Sequence, residues 1–153
     1  EDGGASLLTV HCRTRAEHYS PEVDWSRIAR AALAVGIPVC GNGGVESHAD
    51  LERLRAETGA AFAMVGRGAL ADPWIFSGHR ASLAEAARFF LDYAAALSAS
   101  FAPRHSLARL KQLLTHWRAG GLAGSPGSAE RTGWLRLQEL GLLLDRLAAA
   151  AQV

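Results

Sequence analysis

Two short glycine-rich segments are the clearest candidates for chemistry in this sequence. They are Gly41-Asn42-Gly43-Gly44 and Gly66-Arg67-Gly68, and each directly follows a short apolar run typical of a buried strand. Because glycine has no Cβ, backbone N–H groups in such turns approach an anion closely. Arg67 would add a charged clamp. The pair therefore indicates a phosphate site, although two ordinary tight turns would explain the same glycines.

A third candidate is the segment Val10-His11-Cys12-Arg13, at the end of an earlier apolar run. A histidine followed by an arginine places a tunable imidazole and a cation at one rim of a sheet. A histidine that is only hydrogen-bonded within the fold is the plainer interpretation of the same pattern.

The elements that must position these segments alternate between strands and helices. Apolar runs predict strands over 6–10, 37–40 and 61–65. Asp24 and Ser47 are candidate N-caps for helices over 25–35 and through residue 57. Strands that are apolar throughout and separated by helices predict parallel βαβ units, in a (β/α) barrel or an open sheet. Three strands do not close a barrel, so barrel strands that precede these are expected outside this chain.

The second half of the sequence has a helical pattern instead. Helices are predicted over 82–100, 103–117 and 129–150, with a Gly/Ser/Pro loop over 119–127. Residues 1–78 carry seven Arg against ten acidic residues, whereas 79–153 carry nine Lys and Arg against five. We therefore predict two domains, over 1–78 and 79–153, of which the second meets an anionic partner. A basic surface without a partner would give the same counts.

The composition is that of a globular protein, with 49% hydrophobic and 20% charged residues. No apolar run is long enough to span a membrane, and two cysteines form no disulfide framework, so a cytoplasmic location is expected. No metal site is expected. The missing initiator methionine suggests a partial sequence.

A series of short motifs follows in order along the first half: VHCRTR at 10–15, Tyr19, Val23-Asp24-Trp25, Ile37-Pro38-Val39 leading into Asn42-Gly43-Gly44, and MVGRGAL at 64–70 with Pro73-Trp74-Ile75-Phe76. The series covers roughly residues 6 to 76, and it resembles the second half of the tRNA-dihydrouridine synthase family.

The resemblance implies an α/β fold, namely the C-terminal part of an FMN-binding (β/α)8 TIM barrel followed by a small all-helical domain that binds tRNA. It implies that the FMN phosphate is held by Asn42, Gly43, Gly44, Gly66 and Arg67. His11 would lie against the flavin, and Arg13 near the uracil or the flavin edge.

Enzymes of this family reduce the C5–C6 double bond of a uridine by hydride transfer from reduced FMN, which NADPH regenerates. Their acid cysteine and a phosphate-binding lysine belong to the earlier half, and nothing in this chain matches them. Cys12 and Cys40 are interpreted as small, partly buried fillers. The missing N-terminal barrel half, or another copy of the chain, would be a partner.

The helical half resembles the bacterial C-type subfamily through residues 105–114, which places Arg109 and Lys111 on the tRNA. Arg104, Lys111 and Arg118 recur every seven residues, so we predict one cationic stripe opposite the leucine face, suited to phosphates. Tyr19 is a candidate to stack on a splayed base. A solvated helix face and a tyrosine packed under its own loop are the plainer interpretations.

Two other functions remain open at this point. One is an FMN-dependent barrel oxidoreductase that acts on a small molecule, which would share the phosphate turns but needs no basic helical half. The other is a non-catalytic fragment that binds only RNA or FMN, which the absence of the acid cysteine supports.

Overall fold

The computed structural model of this chain describes residues 1–17 and 23–153. The chain divides into two compact units. The first unit comprises Glu1–Ala69 with Ile75–Gly78, and the second comprises Leu70–Trp74 with His79–Val153.

The first unit contains a three-stranded parallel sheet with two helices. The strands are β1 (Leu8–His11), β2 (Val39–Asn42) and β3 (Phe62–Met64), in the order β1-β2-β3. Helix α1 (Ser26–Ala34) joins the first two strands, and α2 (His48–Thr58) joins the last two. The predicted parallel βαβ units are therefore present, with strand ends shifted by one or two residues.

Local hydrogen bonds explain where these helices begin and end. The N-cap residue of α1 is Trp25, which makes no side-chain cap, so the N-cap predicted at Asp24 was one residue too early. The Asp24 carboxylate accepts from the backbone N–H of Ser26 at 3.1 Å just before the helix. The Ser47 hydroxyl accepts from the backbone N–H of Asp50 at 3.2 Å at the start of α2. Gly59 ends α2 in the left-handed conformation, at φ 70°.

One face of the sheet is packed against the two helices. A Cβ on Gly41 would lie 2.7 Å from the Leu54 side chain of α2 and 3.1 Å from the Ile28 side chain of α1. Leu54 and Ile28 are fully buried, and Val39 of the sheet is 3% exposed. Glycine at position 41 therefore lets both helices approach the central strand.

The opposite face carries the alternate residues of each strand. By strand register these form two rows, one of Thr9, Cys40 and Phe62 and one of His11, Asn42 and Met64. The side chains of Phe62 and Met64 are 55% and 45% exposed. Within the described part of the chain this face is thus largely uncovered at β3, and we call it the open face.

The polypeptide after β3 folds into short helical turns. Helix α3 spans Arg67–Ala71, and a 3₁₀ turn spans Pro73–Phe76. The second glycine turn of the sequence is therefore partly helical, since Arg67 and Gly68 are the first residues of α3.

The second unit is built from four further helices, α4 (Leu83–Ser98), α5 (Pro103–His116), α6 (Ala129–Leu135) and α7 (Leu140–Ala150). A reciprocal capping box between Ser82 and Glu85 starts α4. The core is made of alanine, leucine and aromatic side chains, with Phe90, Leu110 and Leu143 among those that are fully buried.

The prediction of a single helix over 129–150 was wrong, because two helices occupy that stretch. The backbone of Glu139 is extended, at φ −117° and ψ 135°, and separates α6 from α7. One straight helix would bury only one stripe of its leucines. The break instead allows side chains on both sides of it to pack against the core, namely Leu135, Leu137, Leu140 and Leu144.

In the two described ranges, every helix is too short or too polar to cross a lipid bilayer.

Candidate functional site

The residues singled out in the first half of the sequence meet at the carboxyl edge of the sheet. His11, Asn42 and Met64 are neighbours in strand register at the last position of their strands. The backbone N–H of Cys12 donates to the Asn42 carbonyl at 2.9 Å. The Asn42 amide donates to the Met64 carbonyl at 3.4 Å. Because the strands are parallel, the loops that carry Arg13, Gly43 and Arg67 leave the sheet on this same side.

The loop after β2 lies directly against the loop after β1. Gly43 has a φ of 113°, and a Cβ there would lie 2.3 Å from the Cys12 sulfur and 3.1 Å from Cε1 of His11. Gly44 follows with a φ of 74°, and its Cβ would lie 2.7 Å from the Val23 side chain. Both positions therefore require glycine for conformation and for space.

The same edge carries backbone donors that suit an anion. Among the described residues, the backbone N–H groups of Gly43, Gly44 and Gly66 have no hydrogen-bond partner. A Cβ built on Gly66 has no atom within 4 Å, so the space around it is open. The exposed side chain of Arg67 starts the neighbouring helix α3. Such donors and a nearby guanidinium fit the terminal phosphate of a nucleotide cofactor.

Cys12 is fully buried beneath this edge. Burial raises the pKa of its thiol above the ordinary value, against the smaller opposing effect of Arg13 and Arg27. A thiol that is held neutral has the properties of a packing group and not those of an activated nucleophile. Cys40 is also buried and unpaired with another cysteine.

Two contacts of this edge were not predicted from the sequence, and both come from the start of α1. The indole Nε1 of Trp25 donates to the Gly43 carbonyl at 3.0 Å. The Arg27 guanidinium donates to the Cys12 carbonyl at 3.3 Å and to both oxygens of Glu17 at 2.6 and 2.7 Å. The sequence motif Val23-Asp24-Trp25 does not predict this hydrogen bond, because nothing in it indicates which carbonyl the indole reaches.

The four cationic residues assigned to tRNA lie in the second unit in different settings. Arg104 and Arg109 are exposed on α5, and the Arg109 guanidinium carbon is 5.9 Å from the centre of the Phe101 ring. Lys111 is half-buried, and its ammonium donates to the Leu137 carbonyl at 3.0 Å. Arg118 follows the end of α5.

The predicted stripe opposite the leucine face therefore needs correction. Lys111 is four residues after Leu107 and three before Leu114, both of which are buried, so on a helix it adjoins the leucine face. Arg118 lies beyond the last residue of α5 and does not extend a stripe along it. The assignment of these side chains to tRNA stays a prediction, and Tyr19 lies outside the described residues.

Over residues 1–17 and 23–153, no three histidine, cysteine, aspartate or glutamate side chains are grouped so that they could hold a metal ion.

Comparison with known proteins gives the class to which this fold and edge belong. The model of the dihydrouridine synthase (Dus) family matches residues 1–116. The chain therefore belongs to the dihydrouridine synthase family, and the resemblance noted in the sequence is confirmed.

Individual relatives carry the same name. A tRNA-dihydrouridine(16) synthase of Cupriavidus necator is 51% identical over 48% of this chain and 23% of its own length. A tRNA-dihydrouridine(16) synthase of Ralstonia nicotianae is 35% identical over 99% of this chain and 45% of its own length. A probable tRNA-dihydrouridine synthase of Mycobacterium tuberculosis is 31% identical over 96% of this chain and 41% of its own length. The chain thus spans less than half the length of these curated relatives.

Proposed function

We propose that this chain takes part in the reduction of a uridine in tRNA to dihydrouridine. In this proposal the first unit is part of a flavin-binding TIM barrel, and the second unit binds the tRNA. The names of the relatives support the reaction, and two of these relatives match across both units. The observation that carries the proposal is the set of unpartnered N–H groups at the carboxyl edge of a parallel sheet, which is where (β/α) barrels bind phosphate.

The phosphate of FMN would be held by the two glycine turns. The N–H groups of Gly43, Gly44 and Gly66 would donate to its oxygens, and Arg67 would supply the opposite charge. The Asn42 amide donates to the Met64 carbonyl at 3.4 Å and so links the ends of β2 and β3, from which the two turns leave.

The uridine would be reduced at the carboxyl edge of the sheet. FMN, when bound, supplies the hydride, and NADPH is the proposed source of its electrons. His11 is exposed at this edge, and Arg13 is half-buried in the loop that follows. His11 would therefore contact the flavin, and Arg13 the uracil or the flavin edge. The acid that protonates the neighbouring carbon would come from a cysteine outside this chain, because both cysteines here are buried.

The second unit would supply the electrostatic attraction for tRNA. None of its described salt bridges involves Arg104 or Arg109, both of which are exposed. Their guanidinium groups would neutralise phosphates of the tRNA. A flavoenzyme that acts on a small molecule would not need this surface. Retention of unmodified tRNA by the protein in electrophoresis distinguishes these two functions.

The phosphate site is tested by the affinity of the protein for FMN. Arg67→Ala removes a charge-assisted contact usually worth about 1.5–3 kcal/mol, so the Kd for FMN should rise by about 10- to 100-fold. Arg55→Ala is the matched control, because Arg55 is an exposed arginine of the same unit that faces Glu52 at 3.6 Å. Titration of flavin fluorescence measures both. An equal and small change in the two variants would mean that the phosphate binds elsewhere.

A further inference from the structure

The orientation of one peptide group in the first glycine turn is set by a side chain from another element. The Gly43 carbonyl accepts the hydrogen bond of the Trp25 indole at 3.0 Å. No described peptide bond is cis. In a trans peptide the carbonyl of one residue and the N–H of the next point in opposite directions. The indole therefore directs the Gly44 N–H away from Trp25.

The turn has little means of fixing this direction by itself. Gly43 and Gly44 both have positive φ, at 113° and 74°. Two consecutive glycines allow the peptide between them to rotate with a low conformational cost. The Gly44 N–H, in turn, has no partner among the described residues that would hold it. The Trp25 hydrogen bond is thus the described contact that selects one orientation.

Trp25 is itself held firmly enough to act in this way. It precedes the first turn of α1, whose Ile28 is fully buried between the sheet and α2. The Arg53 guanidinium carbon of α2 lies 4.9 Å from the centre of the indole ring. Arg27, two residues after Trp25, donates to the Cys12 carbonyl in the loop after β1. The start of α1 therefore holds the loops after β1 and β2 together.

We propose that Trp25 is a positioning residue for the phosphate of the cofactor. It acts through the Gly43–Gly44 peptide, by aiming the Gly44 N–H at the site where the phosphate oxygens bind. Preorganised donors bind an anion more tightly than donors that must first be oriented. This inference rests on the proposed function, and it concerns the phosphate and not the flavin ring.

The test is the ratio of the affinities for FMN and for riboflavin, which lacks the phosphate. Trp25→Phe keeps an aromatic ring over which Arg53 can lie and removes only the N–H donor. We expect the Kd for FMN to rise by about 3- to 10-fold, the effect of one neutral hydrogen bond, with the Kd for riboflavin unchanged. Trp134→Phe is the matched control, because the buried indole N–H of Trp134 has no hydrogen-bond partner in the structure. It should leave the ratio unchanged.

A second variant separates positioning from packing. Arg53→Gln removes the cation over the ring and leaves the indole N–H in place, so it should reduce the preference for FMN over riboflavin less than Trp25→Phe does. An equal reduction would show that the packing of the ring, and not its N–H donor, sets the preference, and the inference would be wrong. If Trp25→Phe weakens both flavins equally, Trp25 only stabilises the fold and the inference is wrong. If the unaltered protein prefers FMN and Trp25→Phe keeps that preference, the inference is also wrong while the phosphate site stands. If the unaltered protein does not prefer FMN to riboflavin, the phosphate site itself is wrong.

Discussion

The two units of this chain bury their apolar side chains in different ways. In the second unit, Phe90, Leu110 and Leu143 are fully buried in one core of alanine, leucine and aromatic side chains. In the first unit, the helices cover one face of the sheet, and Phe62 and Met64 on the open face remain 55% and 45% exposed. A phenylalanine is therefore part of a buried core in the second unit and part of an exposed sheet face in the first.

Buried and exposed side chains therefore contribute differently to the stability of the fold. Loss of an exposed side chain has little effect on the fold, whereas loss of a buried one destabilises it. A sheet that leaves large side chains exposed presents a surface for a cofactor or for further polypeptide. In the first unit the polar residues His11 and Asn42 share that open face, so its chemistry and its incomplete burial occur together.

The largest expected effect is on the free energy of unfolding, when a phenylalanine is replaced by alanine in each of the two units. Phe90→Ala removes a fully buried ring from the second unit and should lower the free energy of unfolding by about 3–5 kcal/mol. Phe62→Ala removes a ring that is 55% exposed, so its effect should stay within about 1 kcal/mol. Urea unfolding followed by circular dichroism measures both. Similar losses in the two variants would show that the open face is covered in solution.

The sequence predicted the elements of the first unit because its local patterns agree with one another. Apolar runs, the candidate capping residues Asp24 and Ser47, and the glycine turns all mark nearly the same boundaries. The prediction of a single helix over 129–150 was wrong because a run of leucines does not show how many faces of the segment are buried. The extended residue Glu139 is determined by packing with other helices, which is a property of the tertiary structure.

The candidate site was predictable only in part, for a similar reason. Strand ends and glycines are visible in a sequence, so the sequence located His11, Asn42 and Gly43 at one edge. The hydrogen bond from Trp25 to Gly43 joins residues 18 positions apart, and it depends on the tilt of α1 over the sheet. The hydrogen bond of the Lys111 ammonium likewise depends on Leu137, which lies in the segment between α6 and α7.

A smaller effect is expected on the salt dependence of tRNA binding, for which two cationic residues of the second unit are compared. If Arg109 contacts a phosphate, Arg109→Ala should flatten the dependence of log K on log salt by about 0.7 to 0.9. Lys111→Met should change the slope less, because the Lys111 ammonium already donates to the Leu137 carbonyl. Filter binding of unmodified tRNA at several salt concentrations measures the slopes. A larger change for Lys111→Met would show that the ammonium leaves Leu137 and binds phosphate instead.

The smallest expected effect is on stability at low pH, to which one carboxylate in each unit contributes. Hydrogen bonds from Arg27 and from the backbone and hydroxyl of Thr14 lower the pKa of Glu17 from 4.5 to about 2. Hydrogen bonds from Ser82 and His79 lower the pKa of Glu85 from 4.5 to about 2. Each carboxylate therefore contributes stability that is fully present above about pH 4.5 and is lost as the pH falls towards about 2.

These two losses should be separable, because the carboxylates hold different segments. Glu17→Gln should remove the acid sensitivity of the loop after β1, where Arg27 joins Glu17 to the Cys12 carbonyl. Glu85→Gln should do so at the start of α4, where Glu85 completes the capping box with Ser82. Amide hydrogen exchange between pH 6 and pH 3, corrected for the intrinsic exchange rate, reports each segment separately. Since both carboxylates are exposed, the effects should be local. An altered acid response at the start of α4 in Glu17→Gln, or in the loop after β1 in Glu85→Gln, would contradict this.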